Sequence, residues 1–230
     1  MNFSILYKIF HPLKIKTCKI TELFKINKII FGSGGSDNII FDAYYKKNKV
    51  IIKIIPDLIY LNVKKKPDYA ELEIKFYIFF TKKYVLTNKT PHIVGIYNYH
   101  LCKNINKLIE GIYPKKITCP TYENNLLNEH QITFEKQKLC DLLSKFNMGL
   151  INPKFNVLFL EYCPIELKNI IHNCMQDINT ANKDNIKISI NRFINILNRL
   201  LFQIIFTLAI IKNDYPGFMH GDLFIRNILV

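Results

Sequence analysis

What this chain of 230 residues has little of narrows its class first. Acidic side chains are scarce: 18 Asp and Glu stand against 32 Lys and Arg, a formal net charge of +14. Such a charge favours anionic partners, whether nucleic acid, anionic lipid or nucleotide phosphate. No single basic block concentrates it. The lysine clusters (Lys46-Lys47, Lys64-Lys65-Lys66, Lys82-Lys83, Lys115-Lys116) are scattered, which favours a solvated surface over a nucleic-acid groove. The six cysteines (Cys18, Cys102, Cys119, Cys140, Cys163, Cys174) include no Cys-x-x-Cys pair, so zinc-ribbon spacing is absent. In a chain this long they suggest no disulfide framework, and the expectation is a reducing, intracellular, cytoplasmic setting. Lys8 interrupts the apolar residues of Met1 to Phe10, and no small-residue cleavage site follows, so no signal peptide is expected. The greasiest stretch, Phe193 to Ile211, contains Asn195, Asn198, Arg199 and Gln203, too polar for an expected membrane span. No internal repeat is visible.

What is present is a core. Hydrophobic residues make up 49% and charged residues 22%, which excludes wholesale disorder and fits one large domain or two lobes. From Lys25 to Ile55 three short apolar runs (ending at Ile29-Ile30-Phe31, then Asn38 to Tyr45, then Val50 to Ile55) are separated by turn residues and predict an antiparallel meander. Pro67 and Asp68 open a helix whose Tyr69, Leu72, Phe76, Phe80 and Tyr84 recur at helical spacing, predicting one apolar face. His92 to Leu101 reads as a strand. Residues 102–154 read as an irregular insertion with some helix near Phe134 to Phe146, and Val157 to Leu160 as a buried strand. From Ile186 to Lys212 a wide apolar stripe predicts a helix packed on several sides, ended by Asn213, Asp214, Pro216 and Gly217. Strands with one helix, then helices, make an α+β chain with a sheet-based first lobe and a helical second.

Three groups of residues carry chemistry. Lys53 sits inside the otherwise apolar Val50-Ile51-Ile52-Lys53-Ile54-Ile55. A buried ammonium without a partner is costly, so this lysine calls for a carboxylate or a phosphate. The plain alternative is an edge-strand lysine reaching water. Gly32-Ser33-Gly34-Gly35 taken alone is a flexible hairpin turn, yet a turn without β-carbons lets backbone N–H groups approach phosphate oxygens. A folded meander would bring it near Lys53. The third group, His220-Gly221-Asp222-Leu223-Phe224-Ile225-Arg226-Asn227, follows the long helix. Here a carboxylate can accept a proton from a hydroxyl nucleophile, and an amide oxygen can ligate Mg²⁺. An Asx-rich turn with an ordinary histidine is the alternative.

A glycine turn, a strand lysine, an acidic helix, an apolar strand entering Glu161-Tyr162-Cys163, a long helix and then H-x-D-x-x-x-x-N stand in one order. From about Lys25 to the last residue this layout resembles the protein-kinase superfamily, and most closely the divergent kinases of large DNA viruses. The resemblance implies a protein-kinase-like α+β fold, with an antiparallel-sheet N-lobe bearing helix C and a truncated helical C-lobe. Residues 1–24 would be an extension, 25–162 the N-lobe and hinge with an insertion at about 102–154, and 163–230 a partial C-lobe. It implies ATP and Mg²⁺ as cofactors. Gly32 and Gly34, with Ser33 and Gly35, would form the phosphate loop, where Asp37 departs from the third glycine. Phe31 and Ile39 would cover the adenine, Ile51 takes the alanine position of V-A-I-K, and Lys53 would hold the α- and β-phosphates. Glu73 is the expected partner of Lys53, with Glu71 as runner-up. Leu160 would be the gatekeeper, and the Glu161 carbonyl and Cys163 backbone would bond adenine. Asp222 would be the catalytic base, Asn227 a metal ligand, and Arg226 a source of positive charge.

The departures matter. Gly221 stands where the family has the arginine of H-R-D, and Phe224 where many serine/threonine kinases have a lysine. The string H-G-D-L also resembles aminoglycoside and choline phosphotransferases. Three residues follow Asn227 and no D-F-G is among them, so the resemblance implies a poor catalyst alone. A longer or split kinase completed by a second chain, or a remnant with an uncovered Phe193–Ile211 helix, would follow. The leading expectation is a protein kinase, of serine/threonine type, acting on an unidentified protein hydroxyl in a host cell or virion. Small-molecule phosphotransfer and a non-catalytic nucleotide-binding scaffold are the alternatives, and nucleic-acid binding ranks last.

Overall fold

The computed structural model describes residues 3–13, 18–30, 38–59, 69–104, 106–108, 134–183, 185–221, 223 and 228–230. They fall into two compact units, Met1–Phe79 with Gly95–Tyr162, and Phe80–Val94 with Cys163–Val230. The segment from Phe80 to Val94 thus belongs with the second unit, although it precedes the last two strands of the first.

The first unit is built on one antiparallel sheet in the order β1-β2-β3-β5-β4. Its strands are β1 (Lys25–Ile30), β2 (Ile39–Tyr45), β3 (Asn48–Leu58), β4 (Ile96–Cys102) and β5 (Ile151–Leu160). The meander of β1 to β3 follows the predicted runs. β3 continues past Ile55 through Pro56, which stands opposite Phe155 of β5, while among the described residues its pairing with β2 ends at Ile54. β4 starts four residues later than predicted. β5 begins at Ile151, inside the stretch read as irregular, which also contains α3 (Phe134–Asn147) near its predicted place.

Period-two alternation divides the sheet residues between two faces. On one, Ile39, Phe41, Ala43, Val50, Ile52, Ile54, Phe155, Val157 and Phe159 are each at most 3% exposed. The N-terminal segment, unassigned from sequence, covers this face. In α1 (Phe3–Phe10), Phe3 stacks on Tyr97 at 4.8 Å and Phe10 on Tyr97 at 5.1 Å, while Phe24 stacks on Phe159 at 4.7 Å. Gly95 makes this docking possible, since a β-carbon there would lie 2.2 Å from the Phe3 ring. The expectation of reduced thiols needs correction. Cys18 and Cys102 are joined by a disulfide that ties this segment to the end of β4, and Cys140 is disulfide-bonded too. Sequence spacing could not show that folding brings Cys18 within 5.5 Å (Cα to Cα) of a residue 84 positions away.

The helix after the meander, α2 (Tyr69–Phe80), passes into a π-helical turn at Thr81–Val85. Its buried residues are Ala70, Ile74 and, in the turn, Thr81, Tyr84 and Val85, whereas Leu72 and Phe76 of the predicted apolar face are exposed. With apolar residues around much of this helix, period alone does not choose the face.

In the second unit, α4 (Leu167–Thr180), not expected from sequence, precedes α5 (Ile186–Asp214). Thr90 and Thr207 share a buried hydrogen bond of 3.1 Å, and Lys83 and Lys89 reach Asp214 at 3.3 and 3.2 Å. The chain end pairs back, Leu167 N donating to Ile228 O and Val230 N to Ile165 O, both at 2.8 Å. α5 is not packed on several sides. It buries Leu200, Thr207 and Ile211, while Ile188, Phe202 and Ile205 are about two-thirds exposed. By length and composition it is apolar enough to cross a membrane, with a mean hydropathy of 1.9 over 18 residues, so its polar residues do not exclude a span.

Candidate functional site

Lys53 lies on the second face of the sheet, opposite Ile40 on β2 and Leu158 on β5. Flanked by apolar strands, its side chain is 15% exposed and its ammonium makes an ion pair with Glu73 Oε1 from α2. Tyr77, one helical turn after Glu73, presents its ring 6.0 Å from the same nitrogen. The runner-up carboxylate is engaged elsewhere: Glu71 pairs with Lys75 at 2.6 Å, both more than half exposed. Residues two apart on a helix point in different directions, so only one carboxylate of this pair can face the sheet. The edge-strand alternative for Lys53 does not hold, because β3 is flanked by β2 and β5 at this point.

The neighbours of Lys53 are set by register. Tyr45 pairs with Asn48 across a two-residue turn, Lys46 taking a left-handed φ of 55°, and from there each step is determined. Ile51 pairs with Asp42 and Leu160, so all three share the face of Lys53. Ile39 does not. It pairs with Ile54 and is buried on the opposite face against the aromatic core, and Ile40 is the residue beside Lys53. A one-residue offset moves a strand side chain to the other side of the sheet, and counting from the glycine turn could not fix it.

At the end of β5, Glu161 and Gly95 bind each other twice. Glu161 N donates to Gly95 O at 2.9 Å, and Gly95 N donates to Glu161 Oε2 at 3.2 Å. Burial pushes the Glu161 carboxyl above the usual carboxylate range, and the Gly95 amide pulls part of the way back. Cys163, also half-buried, begins the second unit.

Two further charged residues on this face escaped the sequence reading. Asp42 is 1% exposed, and its Oδ2 accepts from Lys49 Nζ at 3.1 Å and Asn27 Nδ2 at 3.2 Å. Lys49 also donates to the Tyr162 hydroxyl at 2.8 Å and lies 4.0 Å from its ring centre. The Tyr162 hydrogen bond is the chief reason its ammonium pKa is pushed up to about 12, with Asp42 adding to it and burial opposing. The signal was available, since a lone carboxylate in an apolar strand is as conspicuous as Lys53.

Phe31, Gly32, Ser33, Gly34, Gly35, Asp222, Arg226 and Asn227 lie outside the described residues. Gly221 lies within them, at a φ of 75°, a left-handed conformation in which glycine is favoured over any residue with a β-carbon. Among the described residues no group of three or more His, Cys, Asp and Glu is placed to hold a metal.

A mixed chain with a five-stranded antiparallel sheet, helices and a half-buried strand-lysine to helix-glutamate pair fits a kinase-like fold. Sequence comparison agrees. Over all 230 residues the chain is 45% identical to a protein of Acanthamoeba polyphaga mimivirus that bears the name "putative serine/threonine-protein kinase". It therefore has a kinase-like viral relative, and spans 57% of that relative's length. No family model matches the chain. No solved structure matches it either.

Proposed function

We propose that this chain carries the nucleotide-binding sheet and catalytic loop of an ATP-dependent protein kinase of the serine/threonine type, in a protein-kinase-like fold. The observation that carries the proposal is the Lys53–Glu73 pair. A strand lysine held by a helix carboxylate presents a fixed ammonium between apolar strand neighbours, suited to phosphate oxygens. The name of the mimivirus relative supports the same class.

In this reading Lys53 binds the α- and β-phosphates and Glu73 orients it. Ile40, Ile51 and Leu160 wall the base, whose edge meets the backbone of Glu161 and Cys163. The glycine turn at Gly32 to Gly35 covers the phosphates. Asp222 accepts the proton of the attacking hydroxyl, Arg226 offsets charge, and Asn227 ligates Mg²⁺. ATP supplies the γ-phosphoryl group, and Mg²⁺ neutralises the charge that develops on it.

A second reading, small-molecule phosphotransfer, draws on Gly221. Glycine at a left-handed position in place of an arginine leaves no side chain to dock a phosphorylated segment. Thermal melting with Mg-ATP tests the shared step. ATP should raise the melting temperature of the wild-type chain and leave that of Lys53→Met unchanged; an equal rise in both sinks the site. Phosphate transfer to protein, or instead to an amino-alcohol or aminoglycoside acceptor, with loss in Asp222→Asn, then decides between the readings.

A further inference from the structure

The N-terminal segment is laid along one strand. β4 is the last strand of the sheet, and one of its edges has no strand beside it among the described residues. From Gly95 to Cys102 the segment follows it in order. Phe3 packs on Gly95 and Tyr97, Asn98 Nδ2 donates to Phe10 O at 3.0 Å and to Leu13 O at 2.9 Å, and Cys18 is bonded to Cys102. The covalent link is thus at one end of the strand and the Phe3 contact at the other. The backbone that the Phe3 ring covers is the backbone whose N and O both bind Glu161, where β5 ends.

α1 buries Phe3, Leu6 and Phe10, but its eight residues are too few to hold a helix in water. It is helical while docked and unfolds when released. The bond to Cys102 holds the chain that follows it against the sheet, which keeps α1 at a high effective concentration. We infer that α1 is a redox-held strap on the Gly95–Glu161 pair: reduction of Cys18–Cys102 by a dithiol frees α1 and opens that pair. Cys102 has no exposed surface and Cys18 is half-buried, so the first thiolate of the reductant attacks the Cys18 sulfur. Cys102 leaves as a thiolate. The second thiol of the reductant then displaces Cys18, so the protein disulfide takes up two electrons and two protons while the reductant closes its own disulfide. Opening the pair also releases the Glu161 backbone that is proposed to meet the base, a consequence that rests on the nucleotide reading.

The test is amide hydrogen exchange of the full chain, oxidised and after treatment with dithiothreitol. Reduction should speed exchange at α1, Gly95 and Glu161 by about tenfold or more, with little dependence on low urea, the mark of local opening. Cys18→Ser without reductant should show the same, which separates this bond from the one at Cys140. Phe3→Ala should open Gly95 in the oxidised chain, and serves if the serine variant does not fold. Unchanged exchange at Gly95 and Glu161, or a rise there only through urea-dependent opening of the whole sheet, overturns the strap. Titration with Mg-ATP follows the consequence, and reduction should weaken binding about threefold or more. Equal affinity in the two states overturns the link to the nucleotide site. Failure to bind in either state overturns the nucleotide reading, while exchange still decides the strap.

Discussion

Two carboxylates on the first unit show how environment assigns roles. Glu73 faces the sheet and pairs with Lys53, whereas Glu71, two residues earlier, sits among solvent with Lys75. Glu73→Gln should therefore weaken Mg-ATP binding about tenfold or more by releasing the lysine, while Glu71→Gln leaves it unchanged; titration calorimetry of the two variants reads the contrast. Glu161 makes a pH prediction. Its pKa is raised in the fold by burial, so the folded state holds its proton more firmly than the unfolded chain. Stability linked to this group is then greatest below the unfolded value of about 4.3 and falls as pH rises through the raised value. Glu161→Gln, still able to accept from Gly95 N, should melt higher than wild type at pH 7, with the gap closing as pH falls towards 4. A gap that widens on acidification would show that the ionised form is the stabilised one.

At the scale of elements, close approach and face selection decide what propensity leaves open. α1 docks because Gly95 leaves room for the Phe3 ring. Gly95→Ala should cost about 1 to 3 kcal/mol, the usual penalty for overpacking. Phe3→Leu, which removes the ring, should recover part of it in urea unfolding of the double variant. Full additivity of the two changes would mean that the ring is not the obstacle. α5 poses the reverse case, since its row of Phe202, Ile205 and Phe206 is exposed and Phe202 stacks on Phe206 at 5.8 Å. Replacing Phe202 and Ile205 by serine should leave the melting temperature nearly unchanged while reducing self-association in sedimentation.

For the whole chain, the Cys18–Cys102 bond spans 84 residues and closes the first unit on itself. A loop of that length restricts the unfolded ensemble by about 4 to 5 kcal/mol in the chain-entropy account, an upper figure for most proteins. Reductant should lower the melting temperature of Cys18→Ser less than that of the wild type, the remaining fall reporting the bond at Cys140. The central pair of the candidate site was legible before folding was considered. Lys53 stood out as a charge in an apolar strand, and Glu73 as a carboxylate on the helix that follows. Ile39 was legible only as an apolar residue near a glycine turn, because its face depends on where the β2–β3 turn sets the register. The exposure of Leu72 and Phe76 was illegible for a similar reason, since α2 offers apolar residues on more than one side.

By itself, then, the amino-acid sequence determined the β1 to β3 meander, the helix after it and the long helix near the end, the pairing chemistry Lys53 requires and the kinase-like resemblance, because these follow from local patterns and motif order. The sequence already favoured Glu73 over Glu71, but the tertiary structure alone decided that Ile40 and Asp42 share the face of Lys53 and that Cys18 bonds Cys102. Each of those depends on which side of an element meets its neighbour, a matter of register and packing between segments far apart in the chain.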